Sequence, residues 1–118
     1  MSKKIIIAPN VVKVGNTIYF GGQTGLGKDG NPIAKDFVTQ AEEAYKKLMD
    51  LLDVAGATTE DVVYLTTYVT TMEDHDTNMT IREKFFKYPP PGRSSVVVKS
   101  MGQPGSLIEF HGVASIDR

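Results

Sequence analysis

Between Asp36 and Ala55 the apolar residues recur at helical spacing, with Phe37, Ala41, Ala44, Tyr45, Leu48, Leu51, Leu52 and Ala55 on a single stripe. A helix with one apolar stripe must bury it against another element, and the flanking sequence changes period to supply one. Val11-Val12-Lys13-Val14, then Gly15-Asn16, then Thr17-Ile18-Tyr19-Phe20 predicts a β-hairpin whose two-residue turn suits type I′ or II′ geometry. Gly21-Gly22-Gln23 ends its second strand, and Gly25 to Pro32 forms a loop. Gly56 is placed to terminate the helix. The capping-like Thr59 and Glu60 lead into a strand from Val62 to Val69, rich in β-branched and aromatic residues. Asp74 or Asp76 is expected to cap a second helix carrying Met79, Phe85 and Phe86, which Pro89-Pro90-Pro91 stops. Strands Ser94–Lys99 and Leu107–Ser115 follow, separated by a turn containing Gly102 and Pro104-Gly105. The order β-β-α-β-α-β-β implies an α+β fold: a single domain over residues 1–118, one sheet with two helices packed on one face.

Alternate side chains of a strand point to opposite faces. One parity collects Ile18, Phe20, Val63, Leu65, Val69, Val96, Val98, Ile108 and Phe110, an apolar face for the helices. The other collects Tyr19, Gly21 and Gln23; Tyr64, Thr66 and Tyr68; Arg93, Ser95 and Val97; and Glu109, His111 and Val113. That second face mixes aromatic and β-branched groups with a guanidinium, a carboxylate and an imidazole. Two helices cannot cover both sides of a sheet, so this face is expected to meet another subunit, with its polar cluster at the edge of the contact. The plain alternative is a solvated sheet face with a few tyrosines.

The bulk properties exclude several classes. A formal net charge of −1, with no basic run longer than Lys3-Lys4 or Lys46-Lys47, argues against nucleic acid and anionic membranes as partners. No cysteine is present, so disulfides, thiolate nucleophiles and thiolate–zinc sites are absent, in keeping with a reducing compartment. The apolar run Ile5-Ile6-Ile7-Ala8 falls short of the about 7–15 residues of a secretion signal. No segment reaches membrane-spanning length. The expectation is a soluble, cytoplasmic protein without a membrane partner.

Three residues carry candidate chemistry. Arg93 follows Tyr88-Pro89-Pro90-Pro91-Gly92, where a rigid segment enters a strand, and its planar fork can grip a carboxylate through two hydrogen bonds. It can equally be an ordinary surface arginine. Glu109 lies inside the apolar run Leu107-Ile108-Glu109-Phe110, where a carboxylate must pair or have its pKa raised. It reads either as a general base or water-orienting group, or as one half of a structural ion pair. His111 shares its parity and can orient it, shuttle a proton, or serve only structurally. His75 reads as a solvated residue. With two histidines far apart and in no ligand-spaced cluster, no metal site and no cofactor is expected. Gly21 to Gly27 lacks the lysine of a phosphate-binding loop, and Ser94 and Ser95 have no histidine at a recognisable spacing for a triad.

Taken in order, several stretches resemble the YjgF/Rid family, also called L-PSP endoribonucleases. Gly15 through Gln23 is similar to its second strand, and Gln40 through Leu52 with Ala55-Gly56 to its long helix. Asp61-Val62-Val63 and Thr67-Tyr68-Val69 match its third strand; Asn78, Arg82, Glu83 and Phe85 follow its second helix. Pro90-Pro91-Gly92-Arg93-Ser94 resembles its Pro-x-Arg-Ser signature, and Ile108-Glu109 its final-strand motif. The resemblance implies a chorismate-mutase-like fold, a homotrimer with clefts between subunits, and hydrolytic deamination of reactive 2-imino or enamino acids to 2-oxo acids and ammonia. Carried over, Arg93 binds the carboxylate of a small substrate and Glu109 positions the attacking water, with Gly21, Gly22, Ser95 and His111 lining the substrate site. A non-catalytic carboxylate-binding regulatory trimer and an endoribonuclease are the alternatives. The chain also differs from the family pattern. It has Ile5 to Asn10 in place of a Gly-Pro-Tyr segment, Gly21 for a serine and Ser95 for a cysteine, which implies a roomier, more polar cleft.

Overall fold

The computed structural model describes residues 3–27, 29–31, 34–87 and 90–117. Six strands and two helices follow one another as β1 (Lys4–Ala8), β2 (Val11–Val14), β3 (Thr17–Thr24), α1 (Phe37–Val54), β4 (Val62–Val69), α2 (Met72–Glu83), β5 (Gly92–Val97) and β6 (Ile108–Ser115), with a 3-10 turn at Thr59–Asp61 before β4. The fold is α+β, with both helices on one face of a mixed sheet. The predicted helix is α1: Asp36 caps it by accepting from the Thr39 amide at 2.9 Å, and Gly56, at φ 87°, turns the chain out of it. No helix among the described residues is long and apolar enough to cross a membrane.

Two elements depart from expectation. Lys4–Ala8 is a sixth strand, pairing antiparallel with β2 at the sheet edge, so the order is β-β-β-α-β-α-β-β. Its side chains are mostly exposed, and the pairing rather than burial holds it. The second helix is capped by Thr71, whose hydroxyl accepts from the Asp74 amide at 3.0 Å, and it ends at Glu83. Asp74 is therefore the third helical residue rather than the cap, and Phe85 and Phe86 lie beyond the helix. Tyr88 and Pro89, at the head of the predicted rigid segment, lie outside the described residues, as does Pro32 in the predicted loop.

The strand order is β1-β2-β3-β6-β4-β5, antiparallel throughout except for the parallel pair β4–β5. Tyr45, fully buried on α1, anchors the core: it stacks on Phe85 at 4.8 Å, meets Phe110 at 4.5 Å, and donates its hydroxyl to Asn78 Oδ1 at 2.5 Å. Burial pushes that phenol well above its ordinary value. Gln40, also buried, pins the loop before β6 to the first turns of α1. Its Nε2 donates to the carbonyls of Ala34 and Gly105, and its Oε1 accepts from the Leu107 amide, each at 2.9 Å. Burial of a polar side chain is tolerated because these bonds satisfy it.

The register revises the parity in three places. A bulge between Val62 and Tyr64 turns Val62, not Val63, toward the helices, leaving Val63 exposed. A bulge between Phe20 and Gln23 brings Gln23 alongside the buried Phe110, away from the face that Tyr19 occupies. In the parallel pair, Arg93 lies beside Leu65, Ser95 beside Thr67 and Val97 beside Val69, all on the helix-bearing face; Ser94 and Val96 take the other face. Thr67 interrupts the expected apolar set, and its buried Oγ1 has no partner among the described residues.

Candidate functional site

On the face that the helices leave open, Val12, Tyr19, Val113 and Tyr64 stand side by side across β2, β3, β6 and β4, with Ile6 of β1 extending the row. Ile6 and Tyr19 are more than half exposed. The next row pairs His111 with Thr66, and the one beyond it pairs Glu109 with Tyr68. Tyr19, Tyr64, Thr66, Glu109, His111 and Val113 therefore share this face, as their parity predicts, and together with Asn10, Val12, Gly21 and Gly22 they line a broad depression.

Its polar centre is one pair. His111 Nε2 and Glu109 Oε2 lie 2.7 Å apart. The carboxylate is the more buried partner: the Glu109 side chain is 23% exposed and that of His111 45%. Tyr68 meets the His111 ring edge-on, with centroids 5.0 Å apart, which fixes the ring plane. Opposite the ring is Gly21, where a Cβ would come within 3.9 Å of Nδ1, an ordinary van der Waals contact, so the absence of a side chain there leaves that nitrogen uncovered on this side. The rim is built by the turn between β1 and β2: Asn10, at φ 64°, accepts from the Gly21 amide at 3.0 Å, and its side-chain amide faces Gly22. Asn10 is a lining residue that pattern alone did not reveal, because it reaches the site through the unforeseen strand β1.

Arg93 and Ser95 are not in this depression. Arg93 is exposed at the start of the edge strand β5, three positions along from the row of Glu109, which meets β5 at Val96, and on the opposite face of the sheet. Its neighbour from α2 is Arg82, a buried guanidinium whose Nε has no partner among the described residues. Burial, and then the charge of Arg93, pull Arg82 below its ordinary value. Ser94, beside Thr66 on the open face, hydrogen-bonds the Tyr64 hydroxyl. His75 lies on α2 and meets Asp76 at 3.1 Å, away from the depression. Among the described residues no three histidine, aspartate or glutamate side chains are grouped to hold a metal ion.

The arrangement offers a hydrogen-bonded acid–base pair beside open space on one face, and a guanidinium fork at the edge on the other. Known proteins share its frame. A mouse protein named 2-iminobutanoate/2-iminopropanoate deaminase is 32% identical over 104 residues, covering 87% of this chain and 76% of the relative. A protein of the same name from the mite Dermatophagoides farinae is 26% identical over 107 residues, covering 90% and 83%. Among solved structures, RidA from the Antarctic bacterium Psychrobacter sp. superposes with a TM-score of 0.83 at 27% identity, covering 91% of this chain and 86% of that one. The family profile described as Endoribonuclease L-PSP matches residues 8–116, from the end of β1 to just beyond β6. With sheet, helices and site strands all inside that match, the chain belongs to the endoribonuclease L-PSP family, the YjgF/Rid proteins.

Proposed function

We propose that this protein hydrolyses 2-imino acids, or their enamine tautomers, to 2-oxo acids and ammonia, in clefts formed between the copies of a homotrimer. The observation that carries the reading is the Glu109–His111 pair, bonded at 2.7 Å and facing a depression that no helix covers. A hydrogen-bonded carboxylate and imidazole can hold a water and take its proton, and such proton transfer contributes about 10²–10⁴-fold. Imines are intrinsically prone to hydrolysis, so one proton-transfer unit and one anchor suffice. The deaminase names of the mouse and mite relatives agree with this chemistry.

Arg93 is the anchor in this reading, gripping the substrate carboxylate with two parallel hydrogen bonds. Arg93 and Glu109 leave opposite faces of one sheet, so a site holding both takes Arg93 from the edge strand of one copy and the Glu109–His111 pair from its neighbour. The exposed row from Ile6 to Tyr64 favours such an assembly, since contiguous apolar surface of this kind marks a contact. Ribonuclease activity, which the family description names, finds less support: among the residues lining the depression there is no lysine or arginine to meet a phosphate backbone.

The test is turnover of freshly generated imines by four preparations: the parent protein, Arg93→Ala, the double variant Glu109→Ala/His111→Ala, and the two variants refolded together. Each variant alone should be inactive, and the mixture should regain activity through sites assembled from two intact half-sites. No turnover by the parent protein ends the deaminase reading. Inactive variants that fail to complement end the shared cleft.

A further inference from the structure

Within that deaminase reading, we infer that the imidazole of His111 exchanges protons with the attacking water, and that Glu109 is its positioning partner. The roles follow from the atoms in contact. An ionised carboxylate only accepts hydrogen bonds, so the 2.7 Å contact places the ring proton on Nε2 when the imidazole is neutral. Nδ1 is then left with its lone pair. No hydrogen bond to Nδ1 is formed among the described residues, and it lies beside Gly21, which has no side chain to cover it. The imidazole is also the more accessible of the two partners, although both line the depression. The edge of Tyr68 against the ring holds the plane in which that lone pair points.

Among the described residues the titratable groups that line the depression or meet the ring are Glu109 of β6, Tyr19 of β3, and Tyr64 and Tyr68 of β4, while Lys4 of β1 shares this face only at the far edge of the sheet. Lys13 of β2 turns away, its ammonium donating to the Ala55 carbonyl. Among the described residues lining the depression Glu109 is thus the one carboxylate, and it meets the ring directly.

The steps balance with one proton carried at a time. As the water oxygen bonds to the imine carbon, Nδ1 takes one of its protons and the C=N π pair moves to nitrogen. The imidazolium returns that proton to the nitrogen, giving a neutral carbinolamine. Nδ1 next takes the hydroxyl proton as the carbonyl forms. The C–N bond breaks with its electron pair on nitrogen, which receives that proton and leaves as ammonia. Imine and water have become oxo acid and ammonia, and the ring ends neutral.

The experiment compares the pH dependence of kcat/KM on fresh imines for the intact protein, His111→Gln and Glu109→Gln, with tautomer assignment of the His111 ring by nitrogen NMR in the unmutated protein. His111→Gln should lose about 10²-fold or more, together with the acid-side fall that protonation of the ring imposes. Glu109→Gln should lose less and keep that fall. The ring should carry its proton on Nε2. An active parent whose His111→Gln variant keeps the same rate and pH profile overturns the proposal and leaves the deaminase reading standing. So does a ring protonated on Nδ1 alone, a readout that needs no variant to fold. A parent without turnover removes the deaminase reading itself.

Discussion

Replacing Gln40 with methionine keeps the volume of this buried side chain and removes all three of its hydrogen bonds. Each such bond contributes about 0.5–1.5 kcal/mol net, and an orphaned buried donor such as the Leu107 amide costs about 1–3 kcal/mol. Gly105 is exposed, so its carbonyl can turn to water; Ala34 and Leu107 are half-buried and cannot do so freely. The expected loss is therefore about 2–4 kcal/mol. Urea unfolding followed by circular dichroism, at one fixed protein concentration, should show it as a midpoint lowered by about 1–2 M at unchanged slope. The damage is also local. Gln40 ties the residues just ahead of β6 to α1, and Glu109 is the second residue of that strand. Amide exchange at Leu107 and Ile108 should accelerate more than at Leu48 in the middle of α1. A loss below about 0.5 kcal/mol would mean that the three groups are satisfied without Gln40, and that the loop is held by something else.

Four further outcomes test the remaining reasoning. Arg93→Lys keeps the charge but loses the two-pronged geometry, so calorimetric affinity for a 2-oxo acid should fall about 10–150-fold, the equivalent of 1.5–3 kcal/mol; unchanged affinity would move the anchor elsewhere. Tyr45 keeps its proton in the folded state beyond the ordinary value of 10.0, whereas the unfolded chain releases it there, so stability should fall as pH rises above that value. The fall should be shallower in Tyr45→Phe, measured by unfolding across that range. Light scattering should give about three times the 12.9 kDa of one chain, and a monomer at micromolar concentration would remove the shared cleft. With no side chain at Gly21 to fill the space before His111, imines from larger or polar-tailed amino acids should show higher kcat/KM than those from alanine, and the opposite ranking would show a tighter pocket.

Much of the frame was legible in the residues. The hairpin around Gly15-Asn16, the helix from Phe37 and the strand from Val62 each rest on local preferences that the tertiary structure leaves intact. Glu109 and His111 were legible as neighbours because period-two geometry within one unbroken strand puts them on one face. Tyr19, Tyr64 and Thr66 joined them by the same rule.

What the chain pattern does not contain is how one strand is set against the next. A single extra residue at Gly21-Gly22 or at Val63 inverts every later side chain of its strand, and neither bulge is written in local propensity. The face taken by Arg93 depended on the parallel register of β5 against β4, fixed by how α2 crosses between them. Parity within β5 correctly grouped Arg93 with Ser95, but it could not say which face the group would take. The strand at Lys4–Ala8 likewise exists through its partner: its isoleucines are largely exposed, and β2 supplies the hydrogen bonds that hold it. Composition and period thus determined which segments become helix or strand everywhere but at Lys4–Ala8, because those preferences are local. The tertiary structure alone decided which side chains share a site, because inter-strand register is a property of two strands that neither one carries.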